Sequence, residues 1–121
     1  MELKELNVYQ LAMELADDIY TLVSYWNYLD KDTIGKQLIR SCDSIAANIS
    51  EGYGRYSFKQ NKLFCYYSRG SLFETITWVE KARRRNLMTE EQYLDITDRL
   101  TSLGKMLNAY INSIGKKKSN Y

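Results

Sequence analysis

Histidine and proline are both missing from this 121-residue chain, glycine occurs only 6 times and cysteine twice. Without histidine there is no Ser-His or Cys-His nucleophile pair. The Glu-x-x-His ligand pairs of di-iron bundles are excluded as well. Without proline, and with so little glycine, few positions oppose helix. Two cysteines, Cys42 and Cys65, make neither a disulfide framework nor a zinc site. A strong charge of one sign is also absent: 17 basic and 15 acidic side chains leave a formal charge of +2. That balance does not by itself mark a nucleic-acid binder; only clustering of the cations would. No apolar run approaches the roughly 20 residues that cross a bilayer. The first residues, Met1 to Glu5, lack the basic and then apolar layout of a secretion signal. The expectation is a cytoplasmic protein with no membrane partner, metal or cofactor.

What the chain does have is helical period. Its length suits one domain, 1–121, around one core. Four helices are expected at about 8–26, 33–52, 58–85 and 90–114. Asn7 with Gln10, Ser57 with Gln60 and Thr89 with Gln92 have the spacing of capping boxes. Asp32, with Asp30 as the alternative, is the expected cap of the second helix, after a loop from Asn27. Gly52 and Gly54 are expected to end that helix in the left-handed conformation. The first helix carries the stripe Val8, Leu11, Leu15, Ile19, Leu22 and Trp26, widened by Ala12 and Ala16. The last carries Tyr93, Ile96, Leu100, Leu103, Leu107, Tyr110 and Ile114. Short connections between long helices favour antiparallel neighbours. The fold class is therefore all-α, an up-down-up-down antiparallel four-helix bundle.

The second helix carries two seams. Leu38, Cys42, Ile45 and Ile49 form an apolar stripe, which makes Cys42 a buried small hydrophobe. Gln37, Ser41, Ser44, Asn48 and Glu51 form a polar stripe in steps of 4, 3, 4 and 3. Solvated faces favour Lys and Glu, so Ser and Asn in this register point to a face pressed against another helix. Folding the second helix back on the third makes facing positions sum to roughly 111. The polar seam then meets Ser71 and Glu74, with Gly70 alongside. Arg40 is expected to pair with Glu74, directly or through water, with Ser41, Ser44 and Ser71 as hydrogen-bond partners. A polar network that fixes helix register is the preferred reading over a catalytic one. Glu51 and Glu74 lie about 14 residues of rise apart, roughly 20 Å, too far for an acid–base dyad.

These same residues carry a family resemblance. The run Gln37-Leu-Ile-Arg-Ser-Cys-Asp-Ser-Ile-Ala-Ala-Asn-Ile-Ser-Glu-Gly-Tyr-Gly-Arg55, then Gly70-Ser-Leu-Phe-Glu74, closely resembles the bacterial four helix bundle proteins. The founding members of that family are encoded in intervening sequences within 23S ribosomal RNA genes. The likeness extends to Val8-Tyr-Gln-Leu-Ala12 and covers nearly the whole chain. It implies an up-down bundle and a ring-like homopentamer. Related proteins include the accessory variability proteins of diversity-generating retroelements, which bind nucleic acid and a reverse transcriptase. No biochemical role follows from the resemblance for the intervening-sequence branch.

An up-down bundle also sorts charge by end. One end collects Arg55, Lys59, Lys62, Lys116, Lys117 and Lys118, with Lys4, against Glu2, Glu5 and Glu51. Tyr53 and Tyr56 in the loop there have the chemistry to stack on exposed bases. The other end mixes Lys31, Arg83, Arg84 and Arg85 with Asp30, Asp32, Glu90 and Glu91. Tyr20, Tyr25, Tyr28, Tyr66 and Tyr67 are candidates for a subunit interface. The leading expectation is a non-enzymatic, self-associating bundle that binds RNA or an RNA-associated protein. The alternative is a purely protein-binding oligomeric scaffold without nucleic-acid affinity.

Overall fold

The computed structural model describes residues 2–116. Four long helices dominate it: α1 (Asn7–Ser24), α2 (Lys36–Tyr53), α3 (Phe58–Arg84) and α4 (Glu90–Ser113). Among the described residues there is no strand. Each helix packs on its neighbours in sequence, and α4 returns to α1, which closes a four-helix bundle. The α2–α3 pair is the most intimate contact.

The apolar stripe of α2 is fully sequestered, with Leu38, Cys42, Ile45 and Ile49 all at 0% exposure. In α4, Ile96, Leu100, Leu103, Leu107 and Ile111 are buried, and Tyr93 and Tyr110 pack on that core from its edge. The stripe of α1 is rotated from the expected one. Leu11 is 40% exposed and Leu22 only partly buried, whereas Ala12, Ala16 and Val23 lie in the core. Ala12 and Ala16, one turn apart, let α2 approach closely, so the alanine side of the stripe turns inward with Val8, Leu15 and Ile19 while Leu11 turns out.

Helix ends follow local chemistry, with four corrections. Thr89 forms the expected capping box with Gln92, and Ser57 Oγ accepts from Gln60 N at 3.1 Å. Asn7, however, is already helical, and its cap position is Leu6 without a side-chain bond. Gln10 instead donates from its amide to the Lys4 carbonyl. The expected loop before α2 is helical too. Asn27 Oδ1 caps a turn at Tyr28–Asp30 by accepting from Asp30 N at 3.0 Å. A π-helical stretch, Lys31–Gly35, then runs into α2. Asp32 does not cap; its carboxylate takes Lys36 Nζ at 3.0 Å.

Gly52 and Gly54 are not left-handed. Gly54 has φ −78°, and Gly52 is needed for space: a Cβ there would sit 2.8 Å from the Asn61 carbonyl oxygen on α3. The left-handed residue lies at the end of α3 instead, where Asn86 has φ 59°. Leu87 N donates to Ala82 O at 2.9 Å and Asn86 N to Arg83 O at 3.0 Å, the paired bonds of a Schellman motif. Gly115, at φ 82°, closes the chain beyond α4.

Candidate functional site

The polar seam of α2 does meet α3, but through different partners. Ser41 is buried, and its Oγ lies 2.9 Å from Thr75 Oγ1. Thr75 Oγ1 also lies 2.8 Å from the Ser71 carbonyl, and Ser41 Oγ lies 3.3 Å from the Leu38 carbonyl. Two hydroxyl protons therefore serve three short contacts. Ser68, fully buried on α3, donates to the Ile45 carbonyl at 2.7 Å. Ser44 and Asn48 are half-buried and bond back along their own helix. Ser44 Oγ donates to Arg40 O at 2.8 Å and Asn48 Nδ2 to Ser44 O at 2.9 Å. Gln37 and Ser71 are likewise half-buried.

Arg40 and Glu74 form no direct ion pair. Both are exposed, and Glu74 Oε2 accepts from Trp78 Nε1 at 3.0 Å. The cause is the face each occupies. Contacting positions sum to 116 for Ser41–Thr75 and 113 for Ile45–Ser68, above the expected 111. Arg40 and Glu74 are level in that register, but both stand on exposed outer faces of their helices and not in the seam. Leaving both charges in water avoids the desolvation cost of a buried pair. Ser68 and Thr75, absent from the sequence-based set, had a legible signal. They sit with Cys65, Leu72 and Val79 in steps of 3, 4, 3 and 4, small polar residues inside a core stripe.

Burial sets the electrostatics here. It pushes the Cys42 thiol up to about 12, with Asp43 adding to the push and Arg99 opposing it. Burial alone takes Cys65 to about 11. Neither thiol is a nucleophile at neutral pH. The Asp43 carboxyl is raised by burial and then by Asp17 across the α1–α2 groove. Among the described residues no cluster of His, Cys, Asp or Glu could hold a metal ion.

At the α2–α3 loop end the cations differ in availability. Arg55 is engaged: its guanidinium reaches Glu51 Oε1 at 3.0 Å and lies 4.5 Å above the Phe64 ring. Lys59 and Lys62 line an open groove with Ser57, Gln60, Leu63 and Tyr66, and neither forms an ion pair among the described residues. Tyr56 is completely exposed and Tyr53 about one-third exposed. Lys116 is exposed beside this end, because Gly115 packs on Phe58. Lys117 and Lys118 lie outside the described residues. At the opposite end Arg83 is engaged, 3.7 Å from Glu90 and 4.2 Å above the Tyr93 ring.

The fold and its polar α2–α3 seam define a four-helix bundle protein without a strand among the described residues and without a helix long and apolar enough to cross a membrane. Residues 4–109 match the family described as 23S rRNA-intervening sequence protein, and the chain belongs to that family. A solved structure is also similar, with a TM-score of 0.81 and 29% identity over 88% of this chain and 96% of that one. It is a protein with unknown function from the S23 ribosomal protein family of Bacteroides thetaiotaomicron. None of the curated proteins matches the chain.

Proposed function

We propose that this protein is a non-enzymatic, self-associating helical bundle that binds structured RNA through the end carrying the α2–α3 loop. The observation that carries the reading is the state of the cations there. Lys59, Lys62 and Lys116 form no ion pair among the described residues and share that end with the fully exposed Tyr56. Free lysines can neutralise phosphates, and an exposed tyrosine ring can stack on an unpaired base. Arg55 serves as a brace for the loop, held by Glu51 and Phe64. The family's origin in 23S ribosomal RNA intervening sequences makes RNA the ligand to test first. Self-association multiplies the basic end and raises its potential. The ring-like homopentamer implied by the family resemblance would do this around one axis. A site of catalysis has no support: both thiols are buried and protonated, and the groove that Arg40 lines is open.

Charge reversal at the two ends tests the choice of surface. Lys59→Glu with Lys62→Glu should weaken retention of a structured RNA on a filter by about tenfold or more. Arg83→Glu with Arg84→Glu should leave it within about twofold. Equal losses from the two pairs would refute this surface. No retention of RNA by the unaltered protein at low salt would leave the protein-binding scaffold as the better reading. The exposed apolar face of α3 favours that second reading.

A further inference from the structure

The outer face of α3, opposite its buried stripe, is built unlike a solvated helix. Leu63, Tyr66, Gly70, Phe73 and Thr77 follow one another in steps of 3, 4, 3 and 4. Tyr66 is 51% exposed, Phe73 58% and Leu63 44%. Gly70 stands at the centre of the stripe, and a Cβ placed on it would meet nothing within 4 Å. Glycine weakens a helix interior, and no packing within the protomer calls for it here. It leaves a notch flanked by two aromatic rings. Arg69 stands exposed beside the notch without an ion-pair partner among the described residues.

A surface of the opposite character lies between α1 and α2. A groove of about 290 Å³ there has a floor of Ala16, Ala46 and Ala47, with Met13 and Tyr9 at its rim. Asp17 and Asp43 both line it. Neither has an ion-pair partner among the described residues, while the nearby Arg99 turns to Asp18 at 2.8 Å and Asp95 at 3.5 Å. Two facing carboxylates without a cation repel, and an alanine floor admits a helix that carries larger side chains.

We propose that the Tyr66–Gly70–Phe73 face of α3 in one copy docks into the Asp17–Asp43 groove between α1 and α2 of a second copy. The aromatic rings then lie on the alanine floor, and Arg69 meets the two carboxylates. The contact joins two different surfaces, so it is heterologous and propagates until a ring closes or a filament grows. The proposal rests on the self-association reading above and assigns its surfaces.

Light scattering after gel filtration, at tens of micromolar protein, tests it with two exposed-surface variants. One carries Arg69→Glu and Phe73→Glu, the other Asp17→Lys and Asp43→Lys. Each alone should fall to a smaller mass than the unaltered protein, with helical circular dichroism retained. Mixing them should raise the mass, because each variant keeps the surface that the other lacks and their altered charges are complementary. An unaltered protein that is strictly monomeric would overturn both the self-association reading and this assignment. An unaltered oligomer whose mass neither variant changes would overturn the assignment alone, as would two small variants that fail to combine. Gly70→Leu guards against a charge effect: it fills the notch without altering charge and should also lower the mass. A Gly70→Leu protein of unaltered mass would contradict docking at the notch.

Discussion

Ser41 and Thr75 illustrate how little side-chain volume is needed to lock two helices in register. Their hydroxyls lie 2.9 Å apart in a fully buried setting. An unsatisfied buried hydroxyl costs more than a made bond gains. A double-mutant cycle of Ser41→Ala and Thr75→Val should therefore give a coupling of about 1 kcal/mol by urea denaturation. Strict additivity would remove the register role. Cys42 supplies a pH signature. Its thiol ionises near its ordinary value of 9.0 when unfolded, and burial pushes it up to about 12 when folded. A pKa raised by folding adds stability that is whole below pH 9 and is lost as pH climbs towards 12, because only the unfolded chain sheds the proton. Cys42→Ala should flatten the decline in stability across that window. An unchanged slope would assign the decline to other groups.

At the scale of the element, glycine has two opposite roles. Gly52 is a contact: a Cβ there would press on Asn61 Oδ1 at 2.8 Å and Phe64 Cβ at 3.0 Å. Gly52→Ala should destabilise by about 1–3 kcal/mol. Gly70 has open space around it, and Gly70→Ala should stabilise the dilute protomer by about 0.5–1 kcal/mol. Thermal melts of the two variants should move in opposite directions; a shift of the same sign would contradict the packing described. Most elements were legible because period 3.6 is written directly in α2 and α4, and because Ser57 and Thr89 cap by local chemistry alone. The start of α2 was not, since Asn27 and a π-helical turn replaced the expected cap at Asp32. The rotation of α1 was hidden because Leu11 and Ala12 are adjacent, and only the distance to α2 decides which faces inward. No direct Arg40–Glu74 ion pair forms for a related reason. Counting residues around a loop gives which positions are level, not which way each side chain faces, and both charges face outward. The same counting did place Ser41 against α3, but the seam chosen on that helix ran through Ser71 and Glu74 and passed over Ser68 and Thr75.

For the molecule as a whole, the bundle separates a stabilising interior from two working surfaces. Its centre is buried and its thiols are held protonated. We propose the exposed face of α3 as the assembly surface and the loop end as the RNA surface. Lys59, Lys62 and Lys116 form no ion pair among the described residues, whereas Arg55 and Arg83 are each engaged by a carboxylate and an aromatic ring. The most direct measurement of this account is the affinity for a structured RNA across a salt series, by fluorescence anisotropy. Neutralising several phosphates should make the logarithm of affinity fall linearly with the logarithm of salt, with a slope of about −2 or steeper. Affinity independent of salt, or none at the lowest salt, would contradict it.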